Sequence, residues 1–250
     1  MNIEDFLPKN FRQWERNILT YNHSILVAKV AKKIAKLCGL DAEMAFLCGK
    51  MHDIGKFIGI PGVDPQKFYQ HPRIGYELLK NINMQVAKVC IAHSFPIKSE
   101  THVQHFCNGD DAEARAIWQI LSSIKYDDYV ELIQLCDKIS GHDKYVSIEQ
   151  KIEWYKSKGK ISINDLEMYY KIPLLRIKAK FECKASELKE FEHKVSEHPG
   201  FEHEMSELKE FECKASEPKR FEHKVSAPKG RETNVPNPKG VDLYKIIGIE

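Results

Sequence analysis

Six stretches of this chain return an apolar residue every three or four positions, and five of the six carry a His or an Asp on that same stripe. Residues 23–38 align Val27, Val30, Ala31, Ile34 and Cys38, with His23 four positions before Val27. Residues 41–54 align Met44, Leu47, Cys48 and Met51, and His52 follows on the same face with Asp53 beside it. Residues 72–82 align Ile74, Leu78, Leu79 and Ile82, with His71 three before Ile74. Residues 84–93 align Val86, Val89 and Cys90 and end in His93. Residues 129–140 are apolar on more than one side and place Asp137 four after Ile133. Only residues 112–125, with Ala116, Ile117, Ile120 and Ile124, lack such a group. The spacing is helical, and alternating strand patterns and Asn-Gly hairpins are missing. An all-α bundle is predicted, with 129–140 as its central helix. Asp41 is a suitable N-cap, Pro72 suits a first helical turn, and Gly55 suits a helix stop.

Burying that many ionisable groups costs several kcal/mol for each uncompensated charge. A bound metal removes the cost. Imidazoles and carboxylates converging in a helical core make a mixed N/O donor set suited to Mn, Fe, Co, Ni or Zn. No Cys is needed, so this is not a structural zinc pattern. Singly, each residue means little: a lone His on an apolar face is more often a hydrogen-bonded core residue. A second His-Asp pair, His142–Asp143, lies on no clear stripe and reads as a decoy. The signal is the ordered set His23, His52–Asp53, His71, His93, Asp137.

Composition narrows the setting. Among 250 residues, 42% are hydrophobic and 30% charged, which excludes disorder over the full length. The net charge of +2 gives no electrostatic argument for a nucleic acid or a membrane, so neither is predicted as a partner. No run of 18 apolar residues exists, and the opening MNIEDFLPKNFRQWER is too polar for a signal peptide. The seven cysteines form no CxxC pair, and several fall on apolar stripes. Reduced thiols in a cytoplasmic protein are expected.

Residues 1–175 read as one domain and 176–250 as a low-complexity tail. Five ten-residue units occupy 181–230: FECKASELKE, FEHKVSEHPG, FEHEMSELKE, FECKASEPKR and FEHKVSAPKG. Their apolar steps of four, three and three slip backwards on a helix with each unit, and Pro199, Pro218 and Pro228 interrupt it. The tail is expected to be weakly structured, serving a protein partner or nothing, and its deletion over 181–230 to leave activity unchanged. His193, His203 and His223 recur there without structure to converge them, so no metal site is expected. The closing VDLYKIIGIE is apolar again and suited to dock on the body. Phe11 and Trp14 read as core.

The ordered set, with the string HDIGK at 52–56, resembles the HD superfamily of metal-dependent phosphohydrolases. The segments carrying it are NHSILVAKVAKKIAKL, AFLCGKMHDIGKF, QHPRIGYELL, CIAHSF and LIQLCDKIS, over about residues 15–145. The resemblance implies an HD-domain helical bundle. It implies that His23, His52, Asp53 and Asp137 hold one divalent metal, and that His71 and His93 hold a second with Asp53 bridging. It also implies hydrolysis of a nucleotide-type phosphoester or phosphoanhydride by water activated between the metals. Asp53 and Lys56 are the catalytic candidates, Lys56 as a point charge on a substrate phosphate. Arg73 is a weaker phosphate contact, and His102 and His105 are read as loop residues near the pocket. HPRIGYELL is similar to the cyclic di-GMP phosphodiesterases of the superfamily, but His93 is followed by Ser94-Phe95-Pro96 where they continue with a second His. The layout is more similar to the bacterial HD hydrolases of diadenosine tetraphosphate. The alternatives are a cyclic-dinucleotide phosphodiesterase and a non-catalytic nucleotide-binding regulatory module.

Overall fold

A computed structural model of the chain describes residues 15–57, 68–141, 143–158, 162–197 and 240–249. The described residues form helices with no strand, and Ser140 and Tyr145 make an isolated bridge. The first six helices are α1 (Glu15–Leu37), α2 (Ala42–Met51), α3 (His71–Leu79), α4 (Met84–Ala92), α5 (Glu100–Phe106) and α6 (Asp111–Ser123). They are followed by α7 (Asp128–Lys138), α8 (Ile148–Lys158), α9 (Ile163–Leu166), α10 (Ile172–Glu197) and α11 (Leu243–Ile247). Short 3-10 turns at Ile54–Lys56 and Phe68–Gln70 flank the residues between α2 and α3, and a π-helical turn, Glu167–Lys171, joins α9 to α10.

Each predicted stripe falls on a helix, except that Ile82 lies past the end of α3 at Leu79 and is exposed. Asp41 caps α2 by accepting from the amides of Glu43 and Met44, and Pro72 sits in the first turn of α3. Asn83, Ser99, Asp110 and Asp127 cap α4 to α7 in the same way. Helix α7 is central, packed on α1, α2, α4 and α10, with Val130 and every residue from Leu132 to Lys138 buried. Gly55 is not the stop of α2, which ends at Met51. It lies in the following 3-10 turn, where a Cβ would stand 2.1 Å from the carbonyl oxygen of His71. Its role is to let that turn touch the start of α3.

Two expectations change. His102 is on helix α5 rather than in a loop, buried against the π turn. Its ring stacks on Tyr169 at 4.4 Å, and its Nε2 lies 3.0 Å from the Tyr170 hydroxyl. The second change concerns the repeats. Helix α10 runs unbroken through residue 176 into the first unit. It buries Leu174, Ile177, Phe181 and Ala185, in steps of three, four and four. Residues before the repeats start the stripe, and the first unit continues it before its own short spacing can turn it away. Lys180 and Lys184 reach Asp128 of α7 at 2.9 and 2.5 Å. Glu182 accepts from the Leu243 amide at 3.0 Å and Ser186 from the Val241 amide at 3.1 Å, so the apolar terminal segment docks as α11. Deleting 181–230 would therefore remove core residues. Phe11, Trp14, His142, His203, His223 and units three to five lie outside the described residues, as does the His193 side chain.

Phe181→Ala is expected to destabilise the fold by about 3–5 kcal/mol, read from urea unfolding. A pH effect follows from His102. Burial, with the charge of Lys138 adding to it, pushes its imidazole down from 6.5 to about 4. The unfolded chain takes this proton near pH 6.5 while the folded chain refuses it, so stability present above 6.5 is lost as pH falls towards 4. Between pH 7 and pH 5 the native chain should lose about 2 kcal/mol more than His102→Gln. Equal losses in the two proteins would remove His102 as the cause.

Candidate metal centre

The six sequence-predicted donors meet at one place, and five of them come from helix ends. His52 caps the C-terminus of α2 with Asp53 next to it. His71 opens α3, His93 caps the C-terminus of α4, and Asp137 stands in the last turn of α7. His23 comes from within α1. All six are buried. Three overlapping groups have donor atoms within 4.8 Å of one another: His23, His52 and Asp53; His52, His93 and Asp137; Asp53, His71 and His93.

Backbone carbonyls set the imidazole tautomers. The Nδ1–H groups of His52, His71 and His93 donate to the carbonyls of Gly49, Phe68 and Cys90, each three residues earlier, at 2.7, 2.6 and 2.8 Å. That of His23 donates to the Gly141 carbonyl at 2.9 Å. A carbonyl only accepts, so Nδ1 carries the proton in each neutral ring and Nε2 presents a lone pair inward. These lone pairs face other acceptors. His71 Nε2 and His93 Nε2 stand 3.1 Å apart, and lie 3.4 and 3.3 Å from Asp53 Oδ1. His23 Nε2 lies 2.9 Å and His52 Nε2 3.8 Å from Asp137 Oδ1. The buried His52 Nε2 and Asp53 Oδ1 have no hydrogen-bond partner among the described residues. Ser94 Oγ, 3.1 Å from His93 Nε2, is a donor within this set. Acceptors gathered face to face are stable around cations, so the donors fit divalent metal.

Asp53 divides the cluster. Its Oδ1 faces His71 and His93; its Oδ2 lies 3.4 Å from His52 Nε2 and pairs with the Lys56 ammonium. Burial pushes its carboxyl up, but the charges of Lys56 and His52 outweigh this and hold it well below the usual range. Asp137 is likewise raised by burial and lowered further by Lys138 and His23. Burial and the Lys56 charge push His71 down, and burial pushes His93 down, which keeps both rings neutral and ready to ligate. Burial would lower His52 too, but the charge of Asp53 outweighs it and the net shift is upward.

The other candidates lie elsewhere. Arg73 is not a phosphate ligand here: its guanidinium forms a two-point pair with the buried Glu113, both contacts at 2.7 Å. His105 is exposed, 3.9 Å from Asp165. Sequence reasoning missed two buried neighbours. The Gln134 amide donates to the carbonyls of Ala92 and Phe95 at 2.9 and 3.0 Å, tying α7 to the end of α4 beside His93. Lys138 pairs with Asp137 Oδ2 and lies over the Tyr170 ring. Its apolar neighbours in LIQLCDKIS, on more than one side of the helix, were the available signal.

Residues 20–141 match the family model of the HD domain, and this part of the chain belongs to that family. The chain is 35% identical over 89 residues to Ribonuclease Y of Rhodopirellula baltica, covering 35% of this chain and 16% of that protein. It is 41% identical over 68 residues to Ribonuclease Y of Mycoplasma capricolum, covering 27% of this chain and 12% of that protein. The chain thus spans under a fifth of either relative. No solved structure matches it. The family is one of metal-dependent phosphohydrolases, and none of the described helices is long and apolar enough to cross a membrane.

Metal binding is testable without turnover. Adding Mn or Zn to chelator-stripped protein at about 100 times its Kd should raise stability by about 2.7 kcal/mol. Asp53→Ala should lose this gain and His102→Gln keep it; an undiminished gain in Asp53→Ala would place the binding elsewhere.

Proposed function

We propose that the chain hydrolyses a nucleotide-type phosphoester or phosphoanhydride at a centre holding two divalent transition metal ions. The observation carrying this is Asp53, whose two oxygens face separate imidazole groups. His23, His52 and Asp137 would hold one ion with Asp53, and His71 and His93 the other. When bound, such ions supply Lewis acidity and acidify water to a pKa of about 7. The protein's own work is to hold the donors. The carbonyls of Gly49, Phe68, Cys90 and Gly141 fix the rings, and Lys138 restrains the second oxygen of Asp137. Lys56 is placed to meet a substrate phosphate, since its ammonium is at Asp53 and its side chain is still 19% exposed. The completeness of the donor set favours an enzyme over a non-catalytic regulatory module. Among the described residues no cysteine is joined in a disulfide and most are buried, which supports the cytoplasm as its compartment.

A second reading, cleavage of RNA phosphodiesters, is favoured by the similarity to two Ribonuclease Y proteins. The two separate in one experiment. Stripped protein with Mn, Fe(II), Co or Mg restored is given dinucleoside polyphosphates, nucleoside triphosphates, cyclic dinucleotides, (p)ppGpp and single-stranded RNA. Turnover is expected only with metal. Asp53→Ala should abolish it, and Lys56→Ala should lower kcat/KM by about ten- to a hundredfold, the worth of one charged hydrogen bond. Metal-restored, folded protein inert on the whole panel would leave the regulatory module as the better account.

A further inference from the structure

Helix α8 places Lys151, Trp154, Tyr155 and Lys158 at positions i, i+3, i+4 and i+7, which share a face. Glu149 and Glu153 lie off this face, and Glu153 is paired with Lys156 at 2.6 Å. Trp154 is 50% exposed, a large apolar surface left in water. Lys151 and Lys158 each stand 5.5 Å from its ring. Neither lysine has an ion-pair partner among the described residues.

The pattern continues inward. Lys151 also lies 5.8 Å from the Tyr155 ring, whose centroid is 5.8 Å from that of Tyr170. Lys138 stands 5.8 Å from the Tyr170 ring and pairs with the metal donor Asp137. Cations and rings therefore form one continuous series from the metal centre to the exposed Trp154, with Tyr170 and Tyr155 adjacent in it. Two tyrosine rings thus stand between Lys151 and Lys138, the neighbour of Asp137.

A line of unpaired cations with an exposed indole suits a ligand carrying anionic groups in series and unstacked planar rings. Single-stranded nucleic acid has this chemistry: phosphates pair with lysines and a base stacks on an aromatic ring. A duplex hides its base faces, and a mononucleotide spans only one step. The whole-chain charge of +2 conceals the arrangement, because the acidic residues of α8 are on its other flank.

We propose that α8 forms a binding track for a single-stranded oligonucleotide, with a base on Trp154 and the backbone along Lys158 and Lys151 towards the metal centre. The position of the scissile phosphate rests on the phosphohydrolase reading; the track itself does not need turnover.

The test is fluorescence anisotropy of a labelled oligothymidylate of about ten nucleotides with the full chain, as purified and after metal stripping. Trp154→Ala should weaken binding about tenfold, and Trp154→Phe should recover most of it. Lys151→Ala with Lys158→Ala should reduce the slope of log affinity against log salt by about 1.4, the value for two phosphates of a single strand. All three side chains are partly or fully exposed, and circular dichroism checks that the variants fold. Affinity indifferent to Trp154→Ala would overturn the track, as would thymidine monophosphate or duplex DNA binding as tightly as the single strand. Binding as expected in a protein with no hydrolytic activity would instead remove the phosphohydrolase reading and leave the track. Turnover with affinity unchanged in the variants would do the reverse.

Discussion

Hydrogen bonds from Nδ1 to a backbone carbonyl are the contacts on which this centre depends. At the end of an α-helix the last carbonyls have no amide to accept. In α2 and α4 the residue after the helix is a His that turns back to the carbonyl three positions before it. The same bond recurs from His71 to Phe68 across the boundary of a 3-10 turn and α3. In α2 and α4 the bond satisfies an end carbonyl, and in all three cases it fixes an imidazole proton on the outer nitrogen. The inner nitrogens are thereby acceptors, and the helix ends can converge stably only around positive charge.

That constraint accounts for the cations. Asp53 and Asp137 are both buried beside acceptor nitrogens, and each has a lysine on one oxygen, Lys56 and Lys138. The pairs leave Asp137 Oδ1 and Asp53 Oδ1 to the imidazoles, while Asp53 Oδ2 is shared between Lys56 and His52. Lys56 is next to the exit of α2 and partly exposed, whereas Lys138 is buried under the tyrosines of the π turn. One cation is therefore accessible to an incoming anion and the other is a fixed part of the wall.

The helices and the six donors were legible because helical period and polar interruption are local properties. Val27 to Cys38 or Val86 to His93 show on which face a His must lie without any knowledge of the partner helix. Family resemblance added the expectation of two metals and of how the donors divide between them. Contacts between distant segments were not legible. Arg73 reads as a free cation until Glu113, forty residues on, is brought beside it. Lys138 reads as an ordinary lysine following an Asp until Tyr170 covers it. The repeats misled for a related reason: the ten-residue period was measured within the units, whereas the stripe that docks begins at Leu174 and Ile177, outside them.

The π turn explains why one segment serves two places. Pro173 lacks the amide that would bond to the Tyr169 carbonyl, and in a regular helix its ring would press on that oxygen. The wider turn at Glu167–Lys171 ends two residues before it and relieves this conflict. Tyr169 and Tyr170, adjacent in sequence, are both buried there: one stacks on His102, the other meets Lys138. Beyond the turn, α10 resumes with Leu174 and Ile177 facing the body, the phase that Phe181 and Ala185 continue. The docking of the first repeat and the wall beside the metal centre thus depend on the same local irregularity, which the proline accounts for.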